Sequence, residues 1–178
     1  MAEVSERPKA DSSLSEAVRR KALTLVQTAA DNPRFIDLAS RRVARRCDAN
    51  AAEYARALEQ AEHATHLAPY ADACDTTRGM ARYRVGKFAE AVEALTRADQ
   101  LNATEAQGRL PVDLAFLAMA QHRLGQTDRA RVTLNESRKG LEHPDRGSDK
   151  QANVLLQETE RTIQTEPALS TPEHVPKK

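Results

Sequence analysis

The residues whose type and spacing could do chemistry are few: Cys47 and Cys74, Glu59 and Glu62 with His63 and His66, the glycines of 79–87, and Arg41-Arg42-Val43-Ala44-Arg45-Arg46. Nucleophilic catalysis requires a thiol or hydroxyl beside a base that activates it. Neither cysteine has flanking glycines, a C-x-x-C partner or a histidine at ligand spacing, so both read as reduced thiols. Residues three and four apart adjoin on a helix, so the His63/His66 group could chelate a divalent cation. These four side chains lie away from Leu58, Ala61 and Ala64, however, and read as a solvated face. Gly79 and Gly86-Lys87 loosely suggest a phosphate loop, but six residues separate the glycines and Phe88 stands where a Mg²⁺-binding hydroxyl belongs. They read instead as a helix-contact glycine and a turn glycine. No Gly-rich loop, H-R-D or D-F-G motif accompanies them. The expectation is a chain that is not an enzyme and uses no metal or cofactor.

The arginine run is the densest basic cluster. A solvated helix face is its simplest reading, a nucleic-acid site has no aromatic stacking platform to support it, and an acidic protein partner is the third choice. The net charge of the 178 residues is only +1, which gives no bulk attraction to nucleic acid or membrane. Aromatic residues make up 3% and tryptophan is absent, a composition that suits close-packed helices and not a β-sandwich. No apolar leader or run of transmembrane length occurs, so a soluble, cytoplasmic protein without a membrane partner is expected.

Positioning these residues takes helices. Residues 1–12 are charged, contain Pro8, and read as a disordered lead-in; 165–178 carry Pro167, Pro172 and Pro176 and read as a disordered tail. Between them lies one helical domain, 13–164. Ser13-Leu-Ser-Glu16 is a capping-box pattern opening a helix to about Ala30, ended by Asn32-Pro33. The next helix, 34–46, has Phe35, Ile36, Ala39 and Val43 on one arc and Leu38, Arg41, Arg42 and Arg45 on another. Asp48 or Asn50 caps the helix 51–68, which buries Tyr54, Ala57, Leu58, Ala61 and Ala64. A helix to Gly86 and another from Lys87 follow, the second carrying Phe88, Ala91, Val92, Leu95 and Ala98 on one face. Pro111 opens the next, which stops at Leu124-Gly125. A return helix runs from Asp128 to about Leu141, ended by Gly140 and His143-Pro144. A second capping box, Ser148–Gln151, starts a last amphipathic helix with Ala152, Leu155, Leu156, Thr159 and Ile163 on one face, suited to cover the end of the domain. The total is eight helices and no strand.

The central hairpin repeats. A shift of 34 residues aligns Tyr54 with Phe88, Ala57 with Ala91, Ala64 with Ala98 and Leu67 with Leu101; a shift of 39 aligns Gly86 with Gly125, Ala91 with Ala130 and Leu95 with Leu134. The five extra residues fit the polar link 103–110. This period, with Gly79, Gly86, Ala91 and Pro69 at motif places, resembles the tetratricopeptide repeat over residues 33–141. Arg41, Asp75 and Leu114 replace the motif's tryptophan, and Asp75 and Arg78 are therefore expected to be partly exposed or paired with each other. Leu114–Gln126 and Arg82–Val92 also look like the C-terminal repeat regions of large bacterial multidomain proteins, often serine/threonine kinases.

The resemblance implies an all-α, right-handed tetratricopeptide-like solenoid of about three helix pairs, flanked by N- and C-terminal helices. It implies a non-catalytic scaffold that binds a protein or peptide along the concave surface lined by the first helix of each pair. Carried over by position, that surface holds Arg42, Arg46, Thr76, Met80, Tyr83, Arg84, Ala115, Met119, His122 and Arg123. Arg84 and Arg123 recur at equivalent places and suit carboxylates, while Met80 and Met119 would form an adaptable apolar floor. Thr77 and Phe116 stand where a carboxylate clamp has asparagines, so the expected ligand is an internal acidic–apolar segment. The alternatives are a helical-repeat RNA binder, which the unmatched polar residues disfavour, and a structural self-association spacer.

Overall fold

A computed structural model describes residues 15–30, 32–69, 72–104, 108–142 and 150–165. Among these residues the chain forms eight helices and no strand: α1 (Glu16–Ala30), α2 (Pro33–Ala44), α3 (Ala51–Leu67), α4 (Asp72–Arg84), α5 (Phe88–Asn102), α6 (Pro111–Arg123), α7 (Thr127–Leu141) and α8 (Lys150–Thr165). The all-helical class expected from the sequence is what forms.

Local chemistry sets most helix ends. Asn32 caps α2 by accepting the Arg34 N–H at 3.0 Å, with Pro33 in the first turn where its missing N–H costs nothing. Asn50, not Asp48, caps α3: its side chain accepts the Glu53 N–H at 2.9 Å, and Glu53 Oε2 accepts the Asn50 N–H at 2.8 Å. Asp48 instead pairs with Arg46. At α1 the cap is Ser15, whose hydroxyl accepts the Val18 N–H at 3.4 Å; Ser13, expected there, lies outside the described residues, as does the second capping box at Ser148. Gly86 (φ 82°) and Gly125 (φ 76°) end α4 and α6 in the left-handed conformation that a Cβ would strain. Each is followed by the same return bond, Lys87 N–H to Arg82 O and Gln126 N–H to Gln121 O, both 2.9 Å. The 39-residue correspondence seen in the sequence is thus a correspondence of turns.

The helices pack as pairs, α2 with α3, α4 with α5 and α6 with α7. The second helix of each pair also lies on the first helix of the next: α3 on α4, α5 on α6, α7 on α8. The first helices touch one another in a row, α2 to α4, α4 to α6 and α6 to α8. Met80, Leu95, Phe116, Met119 and Leu155 form the heart of the core, and Ala91 and Ala98 are wholly inaccessible. Small residues set the spacing: a Cβ on Gly79 would stand 2.6 Å from Leu95 Cγ of α5. Gly140 plays the same part in α7, where a Cβ would stand 2.7 Å from Pro111 Cγ. It is a contact glycine in the last turn of the helix; α7 ends at Leu141, the end expected for it, and His143-Pro144 lies outside the described residues. Helix α8 buries Ala152, Leu155 and Thr159 against α6 and α7, the face expected for an end-covering helix. Asp75 and Arg78 bond to each other as expected, and Arg97 adds a second cation 3.7 Å from Asp75.

Helix α2 buries neither of its two arcs as a whole. Its buried residues are Asp37, Ser40 and Ala44, while Phe35 is 57% and Leu38 51% exposed, and Ala39 is exposed beside them. Small Ser40 and Ala44 allow close approach to the neighbouring helices, and the Ser40 hydroxyl donates to Ala57 O of α3 at 2.6 Å. Arg41 turns inward as well, pairing with Asp37 at 3.3 Å and donating to Thr77 Oγ1 of α4 at 2.9 Å. The arc of Phe35, Ala39 and Val43 therefore looks away from α4. The arginine run is split between the interior and the surface instead of forming one solvated face.

Candidate functional site

The row of first helices was expected to line an open groove. It is closed by its own contacts. Met80 is 1%, Ala115 2% and Met119 0% exposed, and His122 is buried with them. Thr76 is also buried, and its hydroxyl donates to Asp113 Oδ2 of α6 at 3.0 Å. Asp113 additionally accepts from Asn102 Nδ2 at 3.1 Å, and burial pushes its pKa up to about 6 against the opposing pull of the Thr76 bond. Tyr83 is half-buried between Phe88 and Phe116, with ring centroids 5.7 Å from each.

Arg84, the guanidinium expected to recognise a ligand carboxylate, already holds one. Its Nε donates to Ala44 O at the end of α2 at 2.8 Å, its NH2 donates to Glu158 Oε2 of α8 at 2.9 Å, and NH1 bonds the other oxygen. The guanidinium lies 5.0 Å from the Phe116 ring centroid and 5.5 Å from that of Tyr54. Burial disfavours the charge, but the Glu158 bonds and charge outweigh it, so the pKa lies above the ordinary arginine value. Bidentate Arg–carboxylate geometry is the arrangement anticipated for ligand recognition, here made within the chain. Arg123 stacks over Phe88 at 5.1 Å and Arg46 bonds Asp48 and Glu53. Arg84 and Arg123 therefore join helices, while the Arg46 side chain, 40% exposed, is held by acids of its own turn and of α3. Of the expected set, Arg42 alone is exposed, the others being buried or half-buried.

Arg42 belongs to a surface that is open. Along α2, Phe35, Ala39 and Val43 form one row at four-residue spacing and Arg34, Leu38 and Arg42 the row beside it. Between α2 and α3 runs a cleft of about 450 Å³ lined by Ala39, Val43, Ala52, Ala57 and the polar Glu53, Arg56 and Gln60, with Asn50 at one end. Glu53 is its single lining acid and is engaged by Arg46 and by its capping bond. Among the described residues helix α1 touches α2 alone, and its Val18 is 52% exposed. Phe35, Leu38, Arg34 and Arg56 were not among the expected site residues. The signal that could have found them is Ser40 with Ala44, small residues one turn apart that mark the contact side of α2 and leave the aromatic arc outside.

The four side chains Glu59, Glu62, His63 and His66 are all exposed. Gly79 and Gly86 are the helix-contact and turn glycines expected of them. Cys47 is free and exposed; the Cys74 side chain lies outside the described residues. Among the described residues no helix is long and apolar enough to cross a membrane. No protein-family model matches the chain, and no curated protein or solved structure does either.

Proposed function

We propose that this chain is a non-catalytic protein-binding module, a right-handed tetratricopeptide-like solenoid of three helix pairs ended by α8, which acts as a scaffold in the cytoplasm. The order of contacts supports the solenoid: pairs in sequence, a second helix on each following first helix, and the first helices in a continuous row. The recurring glycine turn at Gly86 and Gly125 supports the repeat. One observation carries the binding reading: the exposed apolar stripe of α2, with Phe35 and Leu38 more than half exposed beside an apolar-floored cleft. Contiguous exposed apolar surface on a folded domain marks a contact site for another protein. The partner meets α2 and α3, at the end of the stack, and not the row of first helices, whose side chains are spent on one another.

The test compares the wild-type chain with Phe35→Ser/Leu38→Ser as baits in a quantitative affinity capture, followed by reconstitution with each purified candidate. Both substitutions are on exposed side chains and leave the circular dichroism spectrum unchanged. A partner that binds the wild type directly and loses at least tenfold in affinity, about 1.4 kcal/mol, on the variant supports the reading. Equal binding to both baits contradicts it.

A further inference from the structure

The geometry points to an acidic amphipathic helix as the occupant of the α2–α3 face, an inference that rests on the protein-binding reading above. The helical form of the ligand follows from the stack. Each later first helix receives a second helix from the preceding pair, α3 on α4, α5 on α6 and α7 on α8. On α2 the corresponding element, α1, makes only a slight contact and, among the described residues, reaches no other helix. Phe35, Ala39 and Val43 with the cleft beside them offer the ridge and groove into which the apolar face of a helix packs.

The sign of the charge follows from the rim. Arg34, Arg42 and Arg56 are exposed on the two helices that form the face, and among the described residues none of the three makes an ion pair. The lining acid, Glu53, is already bonded. A ligand helix with acidic flanks meets three guanidiniums suited to bidentate carboxylate contacts. The N-terminal helix α1, from this chain or from a second copy, has Glu16 as its single acid, already bonded to Arg20, and exposes Lys21, so it brings no carboxylate to this rim.

The full-length protein tests this with two labelled peptides of about 18 residues, five helical turns. Both carry leucines at i, i+3, i+4 and i+7; one has glutamates on its flanks and its twin has lysines. Fluorescence anisotropy is read at low and moderate salt. The acidic peptide is expected to bind at least tenfold more tightly than its twin, and added salt to weaken it. Leu38→Glu should abolish that binding, and Arg42→Glu/Arg56→Glu should reverse the preference between the peptides. Equal binding of both peptides would overturn the charge assignment while leaving the face a binding surface. Binding of neither peptide, with concentration-dependent dimerisation in sedimentation that Leu38→Glu abolishes, would assign the face to a second copy. Binding of neither to a chain that stays monomeric would overturn the inference; the binding reading itself then stands or falls by the Phe35→Ser/Leu38→Ser comparison.

Discussion

Two carboxylates, Glu158 and Asp113, decide how the row of first helices is held. The Arg84 side chain is 6% exposed and, among the described residues, Glu158 is its carboxylate partner, so removing that partner leaves a guanidinium in an aromatic surround with little water. Breaking one half of a buried pair costs about 3–5 kcal/mol, because the remaining charge keeps its desolvation cost. Glu158→Ala is expected to lose about 3 kcal/mol in a urea unfolding experiment, near the low end because Glu158 is itself 22% exposed. Asp113 acts with the opposite sign to an ordinary paired acid. Its folded pKa, about 6, exceeds the unfolded 3.8, so the folded state binds more protons between those values and loses stability as pH rises through them. That one group makes the protein about 2 kcal/mol less stable at pH 7 than at pH 4.5 by linkage. Asp113→Asn should remove this part of the pH dependence, seen as a variant that gains on the wild type between pH 4.5 and 7. A constant difference across that range would show that burial does not tune this carboxyl.

At the scale of the helix, glycine shows what sequence patterns reveal and what they hide. Mid-helix Gly→Ala changes ordinarily stabilise by about 1 kcal/mol. Gly79→Ala and Gly140→Ala should do the reverse, by about 1–3 kcal/mol, because a methyl would meet Leu95 Cγ at 2.6 Å and Pro111 Cγ at 2.7 Å. Thermal melts of the two variants check this; a raised melting temperature in either would mean that the helices have room to part. Gly79 was legible as a contact glycine because small residues recur opposite it at Ala91 and Ala98. Gly140 was not, since its neighbour Pro111 comes from a helix 29 positions earlier and nothing local distinguishes a contact glycine from a stop. The buried side of helix α2 was not legible for a related reason. Periodicity finds an apolar arc but does not say which arc is buried, and on α2 the smaller residues Ser40 and Ala44 won the interior. Alignment placed Arg84 in the right row, yet its partner Glu158 lies 74 residues on, a relation with no signature in the sequence.

For the whole molecule, the consequence is a change in which surface is available. The stack uses the groove expected to take a ligand for its own cohesion, through Thr76–Asp113, Arg41–Thr77 and Arg84–Glu158. Its end face on α2 and α3 stays open, apolar and basic. The most direct test is a ¹H–¹⁵N correlation spectrum of the labelled full-length chain, titrated with the acidic amphipathic peptide. Amide shifts are expected to concentrate in 34–43 and 52–60, with 76–84 and 115–123 unmoved. Shifts centred on 76–84 and 115–123, with α2 and α3 silent, would return the binding site to the row of first helices and contradict the end-face assignment.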